Sequence, residues 1–513
     1  MTTKEEKGIV ISTIDGPSTT KLSFVCTKND VFKGEYIQID YSQGSLIGLV
    51  TDVIKRNRYF ENSDSVKDFE NNNVDIKKLF PSDEWEFLEA VVKPLGVYSV
   101  LKGFTRTNLP VSPGQKVYLA DPVVLSKFLH FDKSGVFLGA IEHPNLDVAL
   151  NVDRLLQKHL AILAQSGAGK SYLTSVIIEE LLERTKEQGR IAVVLFDTHG
   201  EYSSFAQSTT DKTKTDYSSK VTLIDSKDVK IGCTGLSAGF YSTLIPELTA
   251  PQKIRLSKVI TKLNEDKKHG AGPYSLQTII KEIDNLEEDD KTAKNLRDRL
   301  LDLERYRLFD KIDYPSINDV VSPGKLTIID LSREIDKKKK QIILYYFANK
   351  LFRARMEHNS VPPFTLVVEE AHQYAPEMAS RENALAKNIL ETIAREGRKF
   401  GASVWLISQR PVKLSTTILS QANTHIILRI TNPYDLKHIG ESSEGLDQNS
   451  INMITSLRVG EALIVGEASS YPVFFKVRKR KSQESHLDVS LSGLAKSFEA
   501  RKEKNNKELD ELI

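Results

Sequence analysis

A short apolar run that breaks into a glycine-containing turn and then an amphipathic stretch constrains this chain most: His159-Leu-Ala-Ile-Leu-Ala-Gln-Ser-Gly-Ala-Gly-Lys-Ser171. Leu160 to Leu163 is apolar, and Leu173, Val176, Ile177 and Leu181 recur at helical spacing, so the segment predicts a buried strand, a tight loop and a helix. That junction suits a phosphate. Gly167 and Gly169 allow the backbone close to an anion, N–H groups converge at the helix N-terminus, and Lys170 adds positive charge between β- and γ-phosphates. The Ser171 hydroxyl is suited to Mg2+. Ser166, Gly167, Ala168, Gly169, Lys170, Ser171 and Tyr172 are therefore the expected ATP-binding segment. The pattern G-x-x-x-x-G-K-[ST] is met except at its first position, where Ala164 stands. A chance Gly/Ser loop between strand and helix is the bland alternative.

With 513 residues the chain exceeds what one core holds, and two to four domains are expected. Lys plus Arg number 71 against 69 Asp plus Glu, a formal net charge of +2, so nucleic-acid binding has to come from local patches. Cys26 and Cys233 match no metal spacing and suit a reducing, cytoplasmic setting. No apolar run approaches a membrane span, and no signal peptide is read at the start.

Residues 1–150 read as short strands at Gly8–Ile14, Lys21–Thr27, Glu35–Tyr41, Ser45–Ile54, Gln115–Ala120 and Val136–Ile141, a pattern that favours a small β-barrel acting as an assembly or docking module. Asn57–Lys78 reads as an exposed loop within it. Residues 151–247 carry the phosphate loop and a second buried strand, Ile191–Phe196, ending in Asp197-Thr-His-Gly-Glu-Tyr202. Two roles are open for Asp197: forming the turn, or positioning water or metal near the γ-phosphate. The lysines Lys212, Lys214 and Lys220 sit in a polar loop that either faces a channel or is merely solvated. Residues 248–313 turn helical and read as an insertion, with Leu276, Ile279, Ile280 and Ile283 on one apolar face. Residues 314–480 resume strand character, and Lys337–Lys340 opens a long helix as a solvated face or a DNA contact. Residues 481–513 form a charged tail or brace. The basic stretch Lys476–Lys481 before it could brace a neighbour or bind a phosphate backbone.

The apolar strand Pro363-Phe-Thr-Leu-Val-Val ends in Glu369-Glu-Ala-His372. Adjacent carboxylates at the end of a buried strand are costly without a metal or partner. Glu369 is expected to hold Mg2+ through its water shell, and Glu370 to orient and deprotonate the attacking water. Arg395 and Arg398, three apart, share a helical face from which a cation could reach the γ-phosphate of an adjoining subunit; ordinary surface charge is the alternative. Gln409, ending the next strand in Ser408-Gln-Arg-Pro411, is suited to sensing the γ-phosphate or its water.

In this order, Ala164–Ser171, Asp197–Tyr202, Glu369–His372, Arg395–Arg398 and Ser408–Pro411 resemble the HerA family of hexameric DNA translocases, part of the FtsK–HerA superfamily, and are closest to its archaeal members. The resemblance covers almost the whole chain. It implies an α/β fold: a RecA-like P-loop NTPase core with an N-terminal small β-barrel and a helical insertion. It further implies a homohexameric ring that threads double-stranded DNA without sequence preference, using ATP and Mg2+. On it, Lys170 and Ser171 bind phosphate and metal, Glu370 activates water, Arg395 is the finger supplied in trans, and Gln409 reports the nucleotide state. Implied partners are a NurA-like nuclease docked on the barrel and the Mre–Rad machinery, in DNA end resection for recombinational repair, with no membrane. Three rivals are a pump of the FtsK or conjugative class, against which the missing membrane spans and the barrel argue, an ATPase of an anti-phage defence complex, and a nucleotide-gated regulatory scaffold.

Overall fold

The structure, a computed structural model, describes residues 4–285, 291–485, 492, 493 and 495–499, apart from 15, 29, 359, 381, 382, 444 and, between 58 and 84, all but Phe60, Lys67 and Asn71. Most of the expected loop Asn57–Lys78 and most of the tail 481–513 lie outside those residues, while Asn57 itself closes a strand. The chain divides into two compact units, one of Met1–Leu173, Gln409–Val412 and Ser420–Lys479, the other of Thr174–Ser408, Lys413–Leu419 and Arg480–Ile513.

The first unit begins with seven strands: β1 Glu6–Ile11, β2 Leu22–Cys26, β3 Tyr36–Tyr41, β4 Gly44–Asn57, β5 Glu86–Ser99, β6 Gly103–Thr105 and β7 Lys116–Leu119. Their order is β2-β1-β7-β3-β4-β5, and pairing of β2 with β5 closes the ring, with β6 added beside β5. Closure leaves no free edge among those six strands. The two long strands bend around the barrel through irregularities at Ile47/Gly48 and Val50/Asp52, which raise local twist. Alternate side chains fill the interior, including Phe24, Ile37, Ile39, Val50, Val92, Val97 and Val117. Each such side chain contributes about 1.5–3 kcal/mol on leaving water. A two-turn helix, α1 Pro122–Phe128, follows, with Asp121 accepting from the N–H groups of Val123 and Val124 at its start.

After the barrel come β8 Phe131–Ile141, β9 Leu146–Leu150 and β10 Leu160–Leu163, then the loop and α2 Lys170–Glu183. The second unit carries five parallel strands: β11 Ala192–Asp197, β12 Val221–Asp225, β13 Leu326–Asp330, β14 Phe364–Val368 and β15 Ala402–Ser408. Their order is β12-β13-β11-β14-β15. All five residues of β14 and all seven of β15 are buried, as expected for parallel strands covered on both faces. The helical insertion belongs to this unit: α3 Ala250–Asp266, α4 Leu276–Asp284 and α5 Lys291–Glu304. It is built from one-sided helices that bury Leu256, Val259, Ile260 and Leu263, then Ile279, Ile280 and Ile283, then Leu296, Leu300 and Leu303. Capping boxes at Thr249/Gln252 and Ser275/Thr278 start α3 and α4. Two further helices, α6 Lys337–His358 and α7 Lys387–Glu396, flank β14 in sequence.

The chain then adds three strands to the first unit: β16 Thr424–Ile427, β17 Glu461–Gly466 and β18 Val473–Val477. With the earlier strands they form the run β10-β16-β17-β18-β8-β9, parallel at β10/β16 and antiparallel beyond. This corrects the expectation that Val136–Ile141 is a barrel strand, because β8 pairs with β18 through Lys476↔Ala140 and Val477↔Gly139. The register depends on Gly139, where a Cβ would collide with the Lys476 carbonyl. Among the described residues, no helix is long and apolar enough to cross a membrane.

Candidate functional site

In the first unit, β10 is wholly buried and pairs in parallel with β16 from Leu160↔Thr424 to Leu163↔Ile427. The loop beyond it is pinned: Leu428 N–H donates to Leu163 O at 2.9 Å, and Gln165 N–H to Arg429 O at 3.0 Å. The Thr431 hydroxyl also donates to Gln165 Oε1 at 3.0 Å. Gly167 and Gly169 have φ of 75° and 100°, a region a side chain disfavours. Alternating handedness of this kind turns successive N–H groups towards one point, forming an anion cradle. A Cβ on Gly167 would meet nothing within 4 Å, so conformation and not space calls for glycine there. Ser166 and Gly167 are exposed, Ala168 and Lys170 buried, and Ser171 and Tyr172 half-buried on the first turn of α2. Leu173 N–H donates to Gly169 O at 3.0 Å, closing that turn. Ala164 is buried and is absent from the positive-φ residues, so its methyl group fills the core without strain, and the departure from glycine leaves the loop intact.

The second unit holds the acidic tip. β14 lies between β11 and β15, with Val368 opposite Phe196 and Leu406. Glu369 and Glu370 follow it, and both are buried. Glu369 Oε2 accepts from the N–H groups of Thr198 at 2.9 Å and His199 at 3.2 Å. The Thr198 hydroxyl donates to Glu369 O at 3.3 Å and lies 3.2 Å from the Tyr374 hydroxyl. Glu370 leaves the strand at φ 50°, ψ 45°, a left-handed conformation that costs a residue bearing a side chain on the order of 1–3 kcal/mol. Its carboxylate lies 3.8 Å from His199 Nε2 and 3.3 Å from His372 Nδ1, and His372 Nδ1 is 3.1 Å from Ser408 Oγ.

Asp197 is occupied by its own turn. Its two oxygens accept from the N–H groups of Gly200 at 2.6 Å, Tyr202 at 3.0 Å, and His199 and Glu201 at 3.2 Å. Burial pushes its carboxyl up, against the opposing pull of the Tyr202 and Gly200 N–H groups and Glu369. Of the two roles open for Asp197, the geometry favours the turn-forming one. Burial also pushes the Tyr202 phenol, fully enclosed behind that turn, well up.

The arginines and the glutamine sit where strand and helix ends were expected. α7 gives way to a short 3-10 turn, Gly397–Phe400, leading into β15. Arg395 and Arg398 are exposed on this stretch, and Gln409 is half-buried just beyond β15. A Cβ on Gly397 would strike the Ala402 carbonyl, so the tight approach that sets both arginines requires glycine. Lys399 holds the Glu396 carboxyl below its ordinary value through a 2.7 Å bond, with Arg395 adding a smaller pull.

Several expected cations are spoken for. Lys220 donates to Leu182 O at 2.5 Å, which turns it from the channel-facing role. Lys339 pairs with Glu334 at 2.7 Å, and burial lowers Lys340, so the run Lys337–Lys340 is not one uniform basic face. The basic stretch Lys476–Lys481 is likewise broken up. Arg478 Nε donates to Phe137 O at 3.1 Å, while Arg480 is buried over the Phe205 ring at 5.0 Å. Lys481 Nζ binds Glu183 at 2.6 Å and Glu180 at 3.1 Å. Ser482 donates to the buried Glu179 of α2 through its N–H and its hydroxyl. Arg480, Lys481 and Ser482 thus strap α2 instead of forming a free phosphate-binding patch.

His372, Ser408 and His199 escaped the sequence reading as site residues. Each stood inside a recognised motif, but the conformation that brings them to Glu370 leaves no mark in spacing. Among the described residues no group of three or more His, Cys, Asp or Glu side chains is arranged to hold a metal. Mg2+ chemistry is commonly met by one or two protein oxygens together with phosphate oxygens, and a hydroxyl at Ser171 and a carboxylate at Glu369 are hard oxygen donors of that kind.

Comparison with known proteins finds relatives along most of the chain. The sequence profile described as "Helicase HerA, central domain" matches residues 136–351. The chain is 28% identical over 514 residues to the DNA double-strand break repair helicase HerA of Saccharolobus solfataricus, covering 96% of each protein. It is 28% identical over 507 residues to the protein of the same name from Sulfurisphaera tokodaii, covering 94% of this chain and 96% of that one. Among solved structures, VirB4 of Thermoanaerobacter pseudethanolicus aligns at a TM-score of 0.51 and 17% identity, over 68% of this chain and 97% of that chain, a likeness of fold.

Proposed function

We propose that this chain, 28% identical to HerA helicases over almost its whole length and matched by the HerA central-domain profile, is a member of that family and an ATP-dependent translocase and helicase of double-stranded DNA. In this reading it works as a homohexameric ring and drives DNA end resection with a NurA-like nuclease in recombinational repair, alongside the Mre–Rad machinery. The observation that carries the proposal is the buried Glu369–Glu370 pair at the end of a parallel strand, its second member held in a left-handed conformation. Strain of that kind persists only where the surroundings over-determine it, as they do at reacting centres.

Bound MgATP would supply the electrophilic γ-phosphate; the remaining chemistry belongs to this chain. Ser166, Gly167, Ala168, Gly169 and Tyr172 would frame the phosphates, and Lys170 would balance their charge. Ser171 and Glu369 would hold Mg2+. Glu370 would orient the attacking water and take its proton. Arg395, exposed on α7, would stabilise the charge developing in a neighbouring subunit's site, making hydrolysis depend on assembly. Gln409 would sense the γ-phosphate. DNA would be held through phosphates, without sequence preference and more weakly as salt rises.

The test is ATP turnover of the purified protein with and without blunt linear duplex, before and after adding a NurA-like nuclease. Each addition is expected to raise turnover. Turnover that ignores both would remove the translocase reading and leave a regulatory scaffold. Stimulation by duplex but not by the nuclease would keep the translocase and remove the resection partnership, in favour of a defence complex.

A further inference from the structure

Two imidazoles approach Glu370, and they differ in how firmly they are held. His199 Nε2 is 3.8 Å from Glu370 Oε1 on a side chain 45% exposed, beyond hydrogen-bond range. The His372 side chain is only 11% exposed, and its Nδ1 stands 3.3 Å from Glu370 Oε2 and 3.1 Å from Ser408 Oγ. The backbone imposes this contact. Glu370 turns into the left-handed region, Gln373 N–H donates to Glu370 O at 2.8 Å, and Tyr374 and Ala375 donate back to Ala371 O at 3.0 and 2.9 Å. The chain thereby doubles back within one turn and returns His372 to the carboxylate it follows. Ser408 ends β15, the parallel neighbour of β14, so its hydroxyl meets the same ring from the adjacent strand.

We propose that His372 is a positioning residue for ATP hydrolysis, its ring held by Ser408 against the Glu370 carboxylate. The proposal rests on the assignment of Glu370 as the base. An ionised carboxylate only accepts, so a ring carrying its proton on Nδ1 would aim that one donor between Ser408 Oγ at 3.1 Å and Glu370 Oε2 at 3.3 Å, and a small rotation of the carboxylate would complete the second contact. A base must sit within hydrogen-bond reach of the proton it takes, and a side chain with free torsions spends little time there. Ser408 closes β15, so one imidazole bridges the ends of the adjacent strands β14 and β15. Displacement of the β15 end would move the base.

The experiment measures ATP turnover and binding of a fluorescent ATP analogue for the full chain and for His372→Ala, His372→Asn, Ser408→Ala and Glu370→Gln. His372→Ala is expected to lower kcat about tenfold or more while KM and analogue affinity stay within roughly twofold. His372→Asn, whose side-chain N–H can occupy the Nδ1 position, should recover most of the loss, and Ser408→Ala should lower kcat by about threefold. If Glu370→Gln abolishes turnover while His372→Ala keeps its kcat, the positioning role is overturned and the base assignment stands. Equal loss in His372→Ala and His372→Asn, or loss of analogue binding in both, would also overturn it. Turnover that survives in Glu370→Gln instead overturns the base assignment, and the positioning role with it.

Discussion

The phosphate loop and the acidic tip stabilise unusual backbone in opposite ways. At the loop, left-handed conformations fall on Gly167 and Gly169, where they cost little, and the backbone itself would be the ligand in the proposed reading. At the tip, the left-handed residue is Glu370, which bears the side chain proposed as the base, and the strain is offset by neighbouring hydrogen bonds. The loop can therefore be read as a string of residue types. The tip cannot, because what matters there is which groups a forced turn brings together.

The largest expected effect separates charge from cradle. Lys170→Ala should lower ATP turnover by at least about a hundredfold, measured at saturating Mg2+, while leaving the fold unchanged by circular dichroism. Gly169→Ala should weaken nucleotide binding by roughly tenfold, because alanine at φ 100° opposes the loop conformation by about 1–2 kcal/mol; equilibrium titration with a fluorescent analogue checks this. The companion Ala164→Gly should bind within about twofold of the wild type, since position 164 needs no special conformation. At the tip the sign reverses. Glu370→Gly should raise stability by roughly 1 kcal/mol in chemical denaturation while abolishing turnover, whereas the same glycine gain in the loop has nothing to relieve.

The smallest effect concerns pH. Burial raises the Asp197 carboxyl in the folded state, so the folded protein keeps that proton where the unfolded chain has lost it. Its contribution to stability should therefore fall as pH rises from the ordinary carboxylate range towards the raised value. Asp197→Asn, permanently neutral, should flatten that dependence in thermal midpoints measured across mildly acidic pH. Asp197→Ala should lower the midpoint at every pH, because four N–H groups lose their acceptor.

Much of the fold follows from local pattern. The apolar runs read at Leu160–Leu163, Ile191–Phe196, Pro363–Val368 and Ala402–Ile407 as buried strands are buried strands to within a residue at each end. The long strand Glu86–Ser99 was not legible, because Pro94 within it removes a ladder donor and argues against a strand. The barrel accepts that proline opposite Gly48, beside an irregularity in the pairing. Val136–Ile141, the second half of the strand Phe131–Ile141, was recognisable as a strand but not by partner, since periodicity sets which face is buried and not which strand lies alongside. Charge was the least legible property. Arg480 and Lys220 look like free cations in sequence, yet one stacks on Phe205 and the other caps a carbonyl of α2.

The most direct measurement is ATP turnover of wild type and Glu370→Gln with and without blunt linear duplex, alongside equilibrium binding of a fluorescent ATP analogue. Duplex should raise wild-type turnover, and Glu370→Gln should bind the analogue as the wild type does while turning over at least about a hundredfold more slowly in both conditions. Turnover in Glu370→Gln close to the wild-type rate would contradict the account, because the buried, strained carboxylate would then be a structural feature and not the base.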